Sequence, residues 1–357
     1  MSSTSSRVLF FGLVFGCTAG ATGCSLESPP VSGRRQALET CHGPIWTCYA
    51  NSPEIDHYGF HDLNLVGRPN HQGIQLGTGD DGRAEITHGD KHYRLEVKEG
   101  RLRGVNVFGA TLSGLGLVGA ELHLEINGVP DYRIRIEEVH EVPYAVPYPD
   151  QAVETYVFSW YGPKDEPDPK RLLCTVPEVA PGKHELLGMG PDETLVFEGE
   201  RIDATRKVIS GAWEPDWINL GCAGHTLAKM HLTRHTVVSN ASALGIELAD
   251  RQATLKMLVA DYCGTGRPFT QAGQPLYWRG GLVDYVATTQ QVEARWTEKG
   301  AACLTAPRLK YADQLPEDFQ PDIWTAIEAE CGALPPTCGS QDPRDFDGAR
   351  RVSANPH

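Results

Sequence analysis

Residues 243–268 read ALGIELADRQATLKMLVADYCGTGRP. Leu244, Leu248, Leu255, Met257, Leu258 and Tyr262 give this stretch an apolar side at helical spacing, which predicts a helix over Ala243–Tyr262. Gly264 is a suitable stop, because glycine readily takes the left-handed conformation that ends helices. Upstream, Cys222–His235 has helical composition and spacing, and a third helix is expected over Asp322–Cys331. Elsewhere the pattern is short strands between turns. Tyr93–Val97 and Tyr132–Ile136 alternate apolar and polar residues, the mark of half-buried strands. Gly79-Asp80-Asp81-Gly82 and Asn127-Gly128 are turn signals. Further strands are expected near residues 155–161, 171–175, 194–197, 207–213, 276–278 and 292–297. The fold class is therefore α+β, with a β-rich N-terminal part and a C-terminal α+β part.

Residues 103–122 divide into four pentads, RGVNV, FGATL, SGLGL and VGAEL, with Gly second and an aliphatic residue fifth. Two structures suit this short repeat. One is a turn of pentapeptide coil with the fifth side chain (Val107, Leu112, Leu117, Leu122) pointing inward. The other is a set of hairpins punctuated by glycine. Four pentads are too few for a free-standing coil, because repeat stacks need several units to bury a core. Gly114–Gly119 also fits the dinucleotide fingerprint G-x-G-x-x-G, but that motif requires a helix after it. The residues that follow, Glu121–Ile126, alternate as a strand, which argues against a dinucleotide site.

The N-terminus places Arg7 before an apolar run, Val8–Phe15, followed by small residues, as in a secretory signal. No stretch reaches the ~18 apolar residues of a membrane span. Ala21-Thr22-Gly23-Cys24 resembles a bacterial lipobox, which predicts acylation of Cys24 and a lipid anchor in the cell envelope, at the outer membrane or cell surface. Val14-Phe15-Gly16-Cys17 is a poorer fit, because Phe15 is bulky. Of ten cysteines, eight then follow the anchor: Cys41, Cys48, Cys174, Cys222, Cys263, Cys303, Cys331 and Cys338. An oxidising compartment would pair them all. Cys41–Cys48 and Cys331–Cys338 are spaced for local loops, and the remaining four are expected to pair among themselves. After removal of residues 1–23 the chain has 31 Lys and Arg against 46 Asp and Glu, a net charge of −15. Such a charge argues against nucleic acid as a partner.

No H-E-x-x-H, G-x-S-x-G or phosphate-binding loop is present. His231 and His235 lie four apart on the expected helix, a spacing that would put both imidazoles on one face for a metal, with His225 or Asp261 as a third ligand. Asp261 has two readings, a general base or an acceptor for the amides of the Gly264–Gly266 turn. Asp80-Asp81 lacks the alternating ligands of a calcium loop. No cofactor is expected.

The blocks Gly211-Ala212-Trp213, Gly221-Cys222-Ala223, Leu227-Ala228-Lys229, Ala260-Asp261-Tyr262-Cys263-Gly264, Glu293–Trp296 and Gly300-Ala301-x-Cys303 occur in order. Together they resemble the ADYC-domain family, over about residues 90–305. The resemblance implies an exported or lipid-anchored bacterial protein and carries no catalytic residue with it. Two positions depart from the family, Met230 and Thr254, where members tend to have cysteine. Loss of a bonded pair would leave these two residues facing each other between successive helices.

The organisation expected is a signal at 1–23, a lipid-anchored polar tether at 24–40, a β-rich region at 41–149, an ADYC-like domain at 150–305, a helix and Cys loop at 306–339, and a disordered tail at 340–357. A domain seam is expected at Pro143–Pro149. The function expected is non-enzymatic, an envelope or surface lipoprotein that binds an envelope component or extracellular ligand. The alternative is a secreted hydrolase using Asp261 with His231 or His235.

Overall fold

The computed structural model describes residues 49–51, 54–55, 59–145, 151–163, 171–175, 188–271, 274–284, 286, 290–311, 319 and 322–355. Cys24 and the Cys41–Cys48 pair lie outside these residues. Among the described residues, twelve strands form one antiparallel sheet. Its spatial order is Asp62–Asn64, Glu214–Cys222, Glu193–Gly199, Ala152–Tyr161, Val129–Pro143, Glu121–Ile126, Glu85–His88, Lys91–Lys98, Arg101–Val105 and Thr111–Ser113. Ile74–Leu76 also pairs with Glu121–Ile126, and Arg171–Leu172 with Ala152–Tyr161. A second sheet of six strands contains Tyr49–Asn51, Gln274–Gly280, Arg351–Ala354, Val292–Thr297 and Gly300–Leu304 in that order, with Val283–Asp284 beside Gln274–Gly280. The helices are α1 (Thr226–Leu232), α2 (Leu248–Leu258) and α3 (Ile323–Cys331).

Inward-facing residues of the large sheet, including Ile86, Leu122, Ile134, Phe158, Val196 and Ile218, form one apolar core. A second core gathers Leu227 and Met230 from α1, Leu255, Met257 and Leu258 from α2, and Trp278 and Trp296 from the small sheet. Phe197, on the large sheet, belongs to this second core. Close packing of α1 on the strand before it depends on Gly221, where a Cβ would press on the Ala228 amide. Helices α1 and α2 pack together, and Met230 and Thr254 are both fully buried. The Thr254 hydroxyl accepts from Arg351 Nε at 2.8 Å.

One open choice is decided and two expectations change. The pentads fold as hairpins: Arg101–Val105 pairs with Thr111–Ser113, and a 3₁₀ turn at Gly114–Leu117 leads to the next strand. Val107, a fifth-position residue that a pentapeptide coil would turn inward, is 94% exposed. The large sheet also continues past the Pro143–Pro149 stretch, since Val129–Pro143 and Ala152–Tyr161 are hydrogen-bonded neighbours. Finally, the polar tail, described as far as Asn355, contributes a strand. Arg351–Ala354 is a buried strand between Gln274–Gly280 and Val292–Thr297. Its side chains bond to the surrounding elements: Ser353 accepts from Trp296 Nε1 at 2.8 Å, and Asn355, just beyond, donates to the Ala306 carbonyl at 2.8 Å.

Three disulfides are present among the described residues, Cys174–Cys222, Cys263–Cys331 and Cys303–Cys338. The first joins two of the four cysteines expected to pair together. The other two correct the expectation: Cys331 and Cys338 each reach back to the ADYC region instead of closing a local loop. α3 and the segment after it are thereby fastened to the small sheet and to the end of α2.

Candidate functional site

The Ala260–Cys263 tetrad sits where α2 ends. Ala260 is left-handed, with φ of 52°, and turns the chain out of the helix. Asp261 is fully buried. Its Oδ2 accepts from Lys256 Nζ at 2.5 Å and from the Gly266 amide at 2.8 Å. Lys256 also donates to the carbonyls of Arg206 and Gly264. Tyr262 donates from its hydroxyl to Glu293 Oε1 at 2.6 Å and accepts from the Arg308 amide. Arg308 Nε reaches the same Glu293 oxygen at 2.8 Å. Burial, and then the Glu293 charge, push the Tyr262 hydroxyl well above its ordinary range. Cys263 bonds Cys331. Gly264 and Gly266 both have positive φ, and a Cβ on either would overlap a neighbouring backbone carbonyl. The tetrad thus joins α2, the small sheet and α3. Asp261 takes the turn-holding role, with Lys256 as an ionic partner that its neighbours in sequence do not reveal.

The histidines do not share a helix face. α1 stops at Leu232, and the left-handed Arg234 turns the chain, so His235 leaves the helix. The His231 ring stacks on Phe197, and its Nδ1 is hydrogen-bonded to Thr236 Oγ1 at 2.9 Å. His235 Nε2 accepts from Arg351 at 3.0 Å, which leaves the proton on Nδ1, donated to the Thr233 carbonyl. Burial, reinforced by Arg234 beside His231 and Arg351 beside His235, lowers both imidazoles to about 3. His225 caps the start of α1 and lies 3.3 Å from Glu54. Asp261 is bonded to Lys256 and the Gly266 amide, whereas His231 is bonded to Thr236 and His235 to Arg351 and Thr233.

A cleft of about 500 Å³ lies between Leu244–Ile246, the Gly281-Leu282 turn and Gly348–Arg351. Across it the Asp250 carboxylate is held between Arg350 and Arg351, each at 3.2 Å. Burial lowers Arg351 to about 10 against the pull of Asp250. The cleft's charges are thus paired with one another, and a charged ligand would have to break these pairs to bind.

The hairpin ribbon at one edge of the large sheet has a different character. Residues 104–120 contain no charged side chain, in a chain that is 22% charged. Val107 and Phe108 at its tip are 94% and 92% exposed, and Leu115 is 77% exposed. The turn that displays them is firmly built. Asn106 Oδ1 accepts from the amides of Phe108 and Ala110, and the Asn106 amide donates to the Ala110 carbonyl. Thr111–Ser113 is the last strand of the sheet, with no strand beyond it among the described residues. Of the two structures that suit the pentads, the coil turns Val107 inward, and the hairpins that form leave it exposed. The informative signal was the missing charge.

These features define a disulfide-bonded, β-rich α+β protein whose ADYC tetrad is a structural hub. The ADYC domain model matches residues 114–310, and the chain belongs to the ADYC-domain family. No curated protein and no solved structure matches the chain. The folded unit extends beyond the matched span, because Cys331, Cys338 and Arg351 all insert into it.

Proposed function

We propose that the protein is an exported lipoprotein, anchored through acylated Cys24, that binds a protein partner in the envelope through the uncharged ribbon at residues 104–120. The observation that carries this reading is the rigid display of Val107 and Phe108. Holding an aromatic side chain in water on a fixed turn is unfavourable alone and lowers the ordering cost of binding. A protein partner fits better than a lipid surface for two reasons. The acidic head is repelled by anionic headgroups. The open edge at Thr111–Ser113 offers backbone donors and acceptors that another strand can pair with.

The test is a photo-crosslinking residue at position 108 in the envelope-bound protein, with position 208 on the separate Ile202–Asp203 and Val208–Ile209 hairpin as control. A discrete crosslinked protein from 108, absent from 208 and abolished by Asn106→Ala, is expected. Equal crosslinking from both positions, or strong binding of the unacylated head to phospholipid vesicles through Phe108, overturns the reading.

A further inference from the structure

We infer that His61, Asp62 and His71 form a site for a divalent transition metal of the zinc type. His61 and Asp62 are buried at the start of the strand Asp62–Asn64, which pairs with the strand ending at Cys222. His71 comes from the loop that follows, which Asn70 pins in place. The Asn70 side chain donates to the carbonyls of Gly59 and Asp62, and its oxygen accepts from the amides of Gln72 and Ile74. The result is convergence. His61 Nε2 lies 3.5 Å and His71 Nδ1 3.8 Å from the same oxygen, Asp62 Oδ1. The potential ligand atoms of all three residues lie within 4.8 Å of one another.

Zinc bonds of ~2.0–2.1 Å at tetrahedral angles place donor atoms about 3.3–3.5 Å apart, so the two distances to Oδ1 nearly fit already and the widest pair, within 4.8 Å, closes by about 1.5 Å at most. Two imidazoles and a carboxylate are the ligand types this ion favours. The two Asp62 oxygens are divided between roles. Arg201 stands 3.6 Å from Oδ2 and stacks at 3.9 Å over the Trp217 ring, which fixes the carboxylate with Oδ1 toward the imidazoles. Such outer contacts are how proteins orient metal-binding carboxylates. His61 Nε2 also donates to the Ile202 carbonyl at 3.1 Å in the metal-free protein, so binding requires the neutral ring to carry its proton on Nδ1 instead and to turn the Nε2 lone pair to the ion. The His71 side chain is 44% exposed and gives the ion a path in. Three protein ligands leave one position for water or for a group from a partner. The ion would clip the 67–73 loop to the first strand of the large sheet.

The experiment uses the full chain, purified without a histidine tag and treated with chelator. Cobalt(II) is titrated by its visible absorption, zinc is used to displace it, and thermal unfolding is followed with and without zinc. Saturation at one cobalt per chain, displacement by zinc and a zinc-dependent rise in unfolding temperature are expected. His71→Ala, and independently His71→Gln, should weaken binding by at least ~10-fold and remove the zinc-dependent rise. His140→Ala, which alters an exposed histidine paired with Glu138, should behave as the parent. A parent protein with no saturable cobalt signal and no zinc shift overturns the proposal. So do His71 variants of unchanged affinity, or loss of binding in His140→Ala.

Discussion

At the residue scale, Asp261 is defined by what surrounds it. A carboxylate buried against Lys256 and the Gly266 amide is committed to holding the turn. Asp261→Asn leaves a buried ammonium without its counter-charge, and should cost about 3–5 kcal/mol in urea unfolding. Lys256→Met in the same background should recover a substantial part of that loss, because the stranded charge is then gone. The turn-holding role was legible from Gly264 and Gly266 alone. The Tyr262–Glu293–Arg308 network was not, because its members lie 31 and 46 residues from Tyr262. The buried histidines give a pH dependence. With folded values near 3, against an ordinary value near 6.5, the unfolded chain binds protons between those limits that the folded chain refuses. The stability these two residues provide is complete above about pH 6.5 and is lost as pH falls toward 3, at roughly 1.4 kcal/mol per pH unit for each. His235→Gln keeps an acceptor for Arg351 and removes one titration. Unfolding free energies measured from pH 6.5 to 4.5 should therefore flatten by about that amount per unit.

At the scale of elements, the strand Arg351–Ala354 is the clearest case of structure hidden by composition. Arg-Val-Ser-Ala amid polar residues has neither alternation nor length enough to announce a strand. Its burial depends on partners that only the fold supplies: His235, Asp250 and Thr254 for Arg351, and Trp296 for Ser353. By contrast Val292–Thr297, in which apolar and polar residues alternate, and α3, with Asp322 at its N-cap accepting from the Thr325 amide, are legible directly. Helical spacing in the sequence overruns both α1 and α2, because it continues past the left-handed residues Arg234 and Ala260 that turn the chain out of them. Arg351→Met should lower stability by about 2–4 kcal/mol, because it removes a buried donor from three partners on α2 and the α1 turn. Removal of residues 350–357 should do more, and expose the small sheet to protease digestion under conditions where the parent resists it. Resistance of the truncated chain equal to the parent's would show that this strand is dispensable. The disulfides act at the same scale. Cys303→Ser with Cys338→Ser opens a 35-residue closure and should cost ~2–4 kcal/mol without altering the other two bonds, as read by denaturation and by peptide mapping under non-reducing conditions.

At the scale of the whole molecule, the acidic surface, the uncharged ribbon and the acylated N-terminus form one hypothesis. A head with net charge −15 gains nothing from an anionic membrane surface, so the envelope position proposed above would rest on the lipid. Among the described residues no helix is long and apolar enough to cross a membrane. Two acyl chains of ~14 carbons, at ~0.8 kcal/mol per CH₂, contribute roughly 20 kcal/mol of burial, enough to hold the head permanently. In the proposed arrangement the polar residues 25–40 would act as a tether and give the ribbon reach to find a partner. Cys24→Ala should therefore release the protein into the soluble fraction while leaving the disulfides and the unfolding midpoint of the head unchanged. Cys17→Ala should remain with the membranes. Fractionation of the two variants, with mass spectrometry of the N-terminal peptide, separates these outcomes. Solubilisation by Cys17→Ala with retention of Cys24→Ala would move the anchor to Cys17 and leave an odd number of cysteines beyond it, one of them reactive toward thiol reagents. Retention of both variants would mean that the head holds the envelope by its own surface. The Phe108 crosslink would then be expected to persist in Cys24→Ala at full yield, whereas a head that depends on its anchor for local concentration should lose most of it.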